Sequence, residues 1–319
     1  MTDADYIAME KSTIVRSGRR ARLLPLARQG NRALSALAPA LAARLAERLF
    51  LTPPLTRRPA AEIDLLATAR ARPMHVGARR IETWVWGSGP RVLLVHGWGG
   101  RGAQLGALVG PLVARGFSVV TFDAPGHGAS DSGLVTIPEM IGAIRAVAAS
   151  RGPLAGLIAH SVGATAAVRA LYEGLEVGAA VFVGAAAELT GPAVRFSETL
   201  GFSRAVRDRM HRLIEERVGR PWSAFDVTTL APALAAPLLV IHDRGDAEVS
   251  WQHGMMITRA WRGADMLMTE GLGHRRILRD PDVVAAAVAF LTARVPERGV
   301  AATDVEAPQG TPLEILMAG

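Results

Sequence analysis

The sequence predicts an α/β fold, with a mostly parallel central sheet flanked by helices on both faces. Three features carry that prediction. Short, continuously apolar runs recur along the chain, segments of helical length separate most of them, and the candidate chemical groups follow the ends of those runs. Strands that are apolar throughout must be covered on both faces, and ligands of such sheets gather at the strands' C-terminal ends.

The elements follow in chain order. Residues 1–73 read as a basic, amphipathic helical arm. Between Asn31 and Phe50, Leu34, Leu37, Leu41, Leu45 and Leu49 recur every three or four residues, with Arg32, Arg44 and Arg48 mostly elsewhere on the wheel. Pro39 should kink or divide this helix, Pro53-Pro54 should end it, and a second short helix fits Ala60 to Arg70. Met74 to Trp86 has the pattern of a β-hairpin turning near Gly77. The apolar runs are then Arg91–His96, Phe117–Asp123, Leu154–His160, Ala179–Val183, Pro237–Asp243 and Ala264–Thr269. Helices fit Ala103–Arg115, Ile137–Ser150, Gly163–Glu173, Trp251–Arg262 and Pro281–Arg294. One gap breaks this rhythm. Residues of about 185–235 contain no strand, but Phe202, Val206, Met210, Leu213, Ile214 and Val218 form a helical stripe, which predicts a helical cap inserted into a domain spanning 74–294. The Ala-, Pro-, Gly- and Glu-rich stretch 295–319 reads as a mobile tail.

Composition excludes several functions. The 319 residues contain no cysteine, which removes disulfides, thiolate metal sites and cysteine nucleophiles. No apolar run reaches the roughly 18 residues of a membrane span, and Met1 to Glu10 lacks a secretory pattern, so a cytoplasmic location is expected. The formal charge is +7, but its distribution is uneven. Up to Ala60 there are eleven Lys or Arg against four Asp or Glu, and from Ala61 onward 25 against 25. No nucleic-acid motif accompanies this excess, so no nucleic-acid partner is expected. A basic amphipathic helix can instead lie on an anionic membrane, making peripheral membrane contact through residues 16–58 a second expectation. Nothing in the sequence sets an oligomeric state.

Four segments carry chemistry. Ala159-His160-Ser161-Val162-Gly163 follows an apolar strand and opens a helix. A sharp strand-to-helix turn exposes a serine hydroxyl if small residues flank it, and Gly163 and Ala164 supply these. Ala159 stands where the G-x-S-x-G pattern has glycine. His96-Gly97-Trp98-Gly99-Gly100 is a glycine turn after an earlier strand, able to aim backbone N–H groups into a cleft. The N–H groups of Trp98 and Val162 are the candidate oxyanion donors. The turn containing Asp243 and Asp246 follows a later strand; Asp246, further into the loop, is preferred as the acid. Gly271-Leu272-Gly273-His274 follows the last strand, and His274 is the one histidine in a glycine-bracketed loop beyond both other members. His160 and His242 end strands, His96 and His127 read as loop anchors, and His75, His211 and His253 as surface or packing residues. No His/Asp/Glu cluster has metal-ligand spacing, so neither metal nor cofactor is expected.

From Met74 to Arg294 the chain resembles the α/β-hydrolase superfamily, most closely its small bacterial esterase-like members. Phe122-Asp123-Ala124-Pro125-Gly126-His127-Gly128-Ala129-Ser130 is similar to that family's F-D-x-x-G-x-G-x-S loop, and Asp246-Ala247-Glu248-Val249 to its D-x-x-V acid turn. The departures are Ala159 and Ser250, the latter where proline is common. The resemblance implies an α/β-hydrolase fold with Ser161 as nucleophile, His274 as base and Asp246 as acid. The expected activity is hydrolysis of a small-molecule carboxylic ester, with thioesters, amides and acyl transfer as alternatives, and with a membrane-peripheral lipid esterase or a docking scaffold that uses the N-terminal arm as a further one. Trp98, Phe202 and Met210 are the expected substrate-binding side chains.

Overall fold

The computed structural model describes residues 24–294. The expectations for 1–23 and for the tail from 295 lie outside the described residues.

The core is an eight-stranded sheet. Its strands are β1 (Arg70–Ala71), β4 (Thr83–Trp86), β5 (Arg91–Val95), β6 (Ser118–Phe122), β7 (Leu154–His160), β8 (Val177–Val183), β9 (Leu238–Asp243) and β10 (Asp265–Thr269). They lie in the order β1-β4-β6-β5-β7-β8-β9-β10. Pairing is antiparallel for β1–β4 and β4–β6 and parallel from β6 to β10. The expected hairpin divides: β2 (Met74–Val76) and β3 (Arg79–Ile81) pair separately around Gly77, whose φ of 57° suits a residue without Cβ, while β4 joins the main sheet.

The central strands bury both faces, as their unbroken Val, Leu, Ile and Ala content requires. On one face α5 (Ile137–Arg151), α6 (Val162–Tyr172) and α10 (Trp251–Ala260) close a core around Leu93, Leu157 and Phe182. On the other, α4 (Val109–Ala114) and α12 (Pro281–Arg294) cover Val92, Leu94 and Ile158. Ala103–Arg115 is not one helix: a 3₁₀ segment, Gly102–Leu108, precedes α4. Gly106 allows contact with Leu65, and Pro111 can sit only in the first turn of a new helix.

A third apolar cluster joins the N-terminal helices to the segment between β8 and β9. That segment carries α7 (Thr190–Leu200), α8 (Arg204–Val218) and the single turn α9 (Val227–Leu230). Helix α1 (24–37) gives way to α2 (Pro39–Phe50) at Ala38, where the proline breaks the ladder. The packed face overlaps the leucine stripe only in part, with Leu34 and Leu45 half-buried against the cluster. Ala42, Ala43 and Ala46 are fully buried with Val206, Met210 and Ile214 of α8, whereas Leu37, Leu41 and Leu49 are 86%, 58% and 42% exposed. Three alanines let two helix backbones approach closely, so shape overrides side-chain hydrophobicity. Glu47 and Arg217 tie the same helices at 2.7 Å. Helix α3 (Ala60–Ala67) then leads to the sheet.

Candidate active site

Ser161 lies between the last residue of β7 and the first of α6, with φ 55° and ψ −131°. Among the described residues it is the one non-glycine with positive φ. Such a backbone costs about 1–3 kcal/mol and persists only when its surroundings impose it. Here Ser161 N–H donates to Val183 O at 3.0 Å, and Ser161 O accepts from Ala164 N–H at 3.0 Å. Two glycines permit the close approach. A Cβ on Gly97 would lie 2.8 Å from the Cβ of Ser161, and one on Gly163 would overlap the His96 carbonyl. Ala159 is fully buried in β7 opposite Val95 and Phe182, so its methyl group is absorbed by the core.

Trp98 and Val162 both line the cavity onto which this serine opens. Among the described residues neither N–H is taken by another backbone acceptor. The glycine turn that carries Trp98 is pinned by buried His96, whose Nε2 accepts from Ala124 N–H at 2.9 Å while Nδ1 meets Gly97 O at 2.7 Å. The acceptor role of Nε2 puts the proton on Nδ1. Burial, above all, lowers His96 to about 4 and His127 to about 3, so both anchors are neutral near pH 7.

His274 opens the short turn α11 (Gly273–Arg276), and its Nδ1 lies 2.7 Å from Asp246 Oδ2. Asp246 Oδ1 accepts from the N–H groups of Glu248 and Val249, both at 2.8 Å. Burial alone would raise this carboxyl. Hydrogen bonds from His242 and His274, the His274 charge and the Val249 N–H outweigh it and hold Asp246 well below the carboxylate range. The carboxylate thus fixes the imidazole with its proton on Nδ1 and Nε2 free. The imidazole makes its side-chain hydrogen bond to Asp246, with none to Ser161 Oγ among the described residues, although both residues line the same cavity. Bonds of this kind commonly tighten only when substrate binds.

The competing aspartate has another task. Asp243 is fully buried and accepts from Gly245 N–H at 2.9 Å, Thr269 Oγ1 at 2.8 Å and Leu272 N–H at 2.9 Å. It ties the Asp246 loop to the His274 loop. His160 is a further positioning group that sequence reading takes only as a strand end. Its Nε2 lies 3.0 Å from His274 O and its ring 4.5 Å from that of His274, centroid to centroid. Burial first, then the charge of His274, lowers His160 to about 3, so it serves as a neutral donor.

The cavity measures about 1140 Å³. Trp98 lines it, but Phe202 and Met210 do not. Met210 of α8 and Phe202 of the turn before it are buried in the cluster shared with the N-terminal helices, which corrects the expectation that they line the substrate site. The apolar wall comes instead from Leu189, Phe196, Ile214, Val218 and Trp222, together with Phe50 from the N-terminal segment. Phe50 packs edge-on to Phe196 at 5.2 Å and tilted against Trp222 at 5.8 Å. Pro54 and Arg57 also line the cavity, while Arg58 pairs with Asp123 at 2.7 Å and Glu62 with Arg101. The segment before residue 73 therefore forms part of the site. No local motif marks it, because its contribution depends on where α2 docks. Among the described residues, no three His, Asp or Glu side chains are arranged to hold a metal ion, and no helix is long and apolar enough to cross a membrane.

A protein-family model described as the alpha/beta hydrolase family matches residues 92–287. Comparison with curated proteins gives no match. Among solved structures, an esterase from Rhodococcus sp. ECU1013 superposes with a TM-score of 0.56 at 20% identity, over 71% of this chain and 99% of its own. A proline iminopeptidase-related protein of Thermus thermophilus superposes at 0.57 and 22% identity, over 72% and 99%. The thioesterase domain from the curacin biosynthetic pathway gives 0.54 and 17%, over 70% and 99%. At these identities the likeness is one of fold.

Proposed function

This chain belongs to the alpha/beta hydrolase family, and from that premise we propose that it is a serine hydrolase acting on small-molecule carboxylic esters. In this reading Ser161 Oγ attacks the ester carbonyl while His274 Nε2 takes its proton. Asp246 keeps the imidazole in the required tautomer and stabilises the imidazolium. The N–H groups of Trp98 and Val162 receive the oxyanion, for which each donor contributes roughly 3–4 kcal/mol. His274 then protonates the departing alcohol. Water, deprotonated by the same imidazole, attacks the acyl-serine and releases the acid and free Ser161.

The observation that carries this reading is a combined one. A serine held at φ 55° and a histidine 2.7 Å from a buried carboxylate open onto one cavity. The test is hydrolysis of p-nitrophenyl esters of increasing acyl length by the wild type and by Ser161→Ala. The proposal expects turnover by the wild type and its loss in a variant with an unchanged melting temperature. Full activity in that variant would end the assignment. Preference for a thioester of the same acyl chain, or acyl delivery to an added alcohol, would move the protein to the thioesterase or acyltransferase alternative.

One observation favours a second reading, of a membrane-peripheral enzyme. Leu37 and Leu41, 86% and 58% exposed, share the outer surface of the N-terminal helices with exposed Arg44 and Arg48. Co-sedimentation with anionic vesicles should then fall in Leu37→Glu/Leu41→Glu; equal binding by variant and wild type would eliminate it.

A further inference from the structure

From Ala61 onward the chain carries as many acidic as basic residues, but the cavity does not share that balance. Seven arginines line it against one acid, Glu248. Four of the seven have partners. Arg101 is paired with Glu62, with Arg279 3.7 Å from the same carboxylate. Arg275 meets Glu248 at 2.8 Å, and Arg276 donates to the carbonyls of Leu272 and Gly271. Arg57, Arg195 and Arg220 have no ion pair or side-chain hydrogen bond among the described residues. They come from three separate places in the chain: the segment before α3, helix α7, and the turn after α8. All three are exposed, and they share one cavity although no single helix carries them. Of the α8 arginines that do not line the cavity, Arg204 and Arg207 share Asp208 and Arg217 holds Glu47, while exposed Arg209 and Arg212 are, like the three, without an ion pair among the described residues.

We propose that the substrate carries an anionic group, a carboxylate or a phosphate, received at the cavity by Arg57, Arg195 and Arg220. This deepens the hydrolase reading and rests on it. A guanidinium presents a planar fork of donors matched to both groups. A cleft lined by charge of one sign focuses its field and concentrates the opposite ion. Beside these cations lies the aromatic wall of Phe50, Phe196 and Trp222. The two linings together fit an amphipathic ester: an apolar chain against the aromatic rings and a negative charge toward the guanidinium groups.

The test compares three esters of matched length. One is neutral, 4-nitrophenyl octanoate. Mono-4-nitrophenyl suberate carries a carboxylate on the acyl side, and 4-carboxyphenyl octanoate carries one on the alcohol side. The readout is kcat/KM for each anionic ester divided by that for the neutral one. At low ionic strength at least one ratio is expected to reach about ten and to fall as salt is raised. In Arg57→Gln/Arg195→Gln/Arg220→Gln that ratio is expected to drop about tenfold, and each single replacement to take a share of about two- to threefold. Arg209→Gln/Arg212→Gln, at exposed α8 positions that do not line the cavity, should leave it unchanged. A phosphate monoester on the same alkyl chain, used as a competitive inhibitor, distinguishes phosphate from carboxylate recognition. Turnover of the neutral ester with ratios near one, insensitive to salt and to the arginines, would overturn this inference and leave the hydrolase reading standing. Silence toward all three esters, with Ser161 still labelled by a fluorophosphonate, would overturn the inference and the ester specificity, leaving only the assignment of Ser161 as nucleophile. Silence without labelling would overturn that assignment as well.

Discussion

Replacing Glu62 with alanine tests whether the N-terminal segment is part of the catalytic body. Glu62 is 5% exposed and Arg101 6%, and the two form a bidentate pair in which Arg101 Nη2 donates to Glu62 Oε1 at 2.9 Å. Arg101 Nη1 also donates to Thr56 Oγ1 at 2.7 Å, so one guanidinium gathers the residues before α3 onto the glycine turn that carries Trp98. Removing the carboxylate leaves a buried cation without its main partner. That situation costs roughly 3–5 kcal/mol, whereas an exposed pair is worth about 1 kcal/mol or less. At about 2–4 °C per kcal/mol for a domain of this size, the melting temperature should fall by about 6–20 °C. Urea titration followed by tryptophan fluorescence measures the loss directly. Glu62→Leu/Arg101→Met, which removes both charges and keeps apolar volume, should recover most of it. A loss in Glu62→Ala below about 1 kcal/mol, the value for a solvated pair, would mean that the N-terminal segment is not anchored through this pair.

Further outcomes follow from the same geometry. Gly163→Ala places a methyl group against the His96 carbonyl; it should cost about 1–3 kcal/mol of stability and most of the esterase activity, while Gly110→Ala, with no neighbour within 4 Å, should be silent in both assays. Asp246→Asn should lower kcat by up to about 10⁴-fold by destroying the tautomer preference while the protein stays folded. Asp243→Asn should act chiefly on stability, since its carboxylate holds two loops; equal kinetic damage in both variants with equal melting temperatures would contradict the division of roles. Acid should destabilise the fold early. His96 is lowered to about 4, His127 and His160 to about 3, whereas an unfolded histidine titrates near 6.5. Below about pH 6.5 the unfolded chain therefore takes up protons that the native state refuses. Stability present above that pH is lost on the way down to pH 4, by up to about 4 kcal/mol per pH unit for three groups. The lowered Asp246 carboxyl contributes stability present above about pH 4 and lost below it. A flat urea midpoint between pH 7.5 and 5 would contradict this.

Much of the fold is legible in the sequence because buried parallel strands leave no alternative to continuous apolar runs. Leu154–His160 and Leu238–Asp243 are read almost residue for residue for that reason. Strand β1 escapes such reading: its two residues are exposed and their pairing is a property of the β4 edge, not of their side chains. The Ser161, Asp246 and His274 positions are marked by short-range requirements for glycine, turns and strand ends, which sequence carries locally. The cavity wall is different. Phe50 and Trp222 meet there only because Ala42, Ala43 and Ala46 let α2 settle on α8, a contact between residues about 165 positions apart. The same docking buries Phe202 and Met210 away from the cavity lining. Periodicity identifies a helix's apolar stripe; it does not say which neighbour that stripe will face.

The most direct measurement is stoichiometric reaction of the folded protein with a fluorophosphonate, followed by peptide mapping. One phosphonyl group per chain is expected, on the peptide containing Ser161 and formed far more slowly when His274 is replaced by alanine. Modification at another hydroxyl, or none in protein that remains folded, would contradict it.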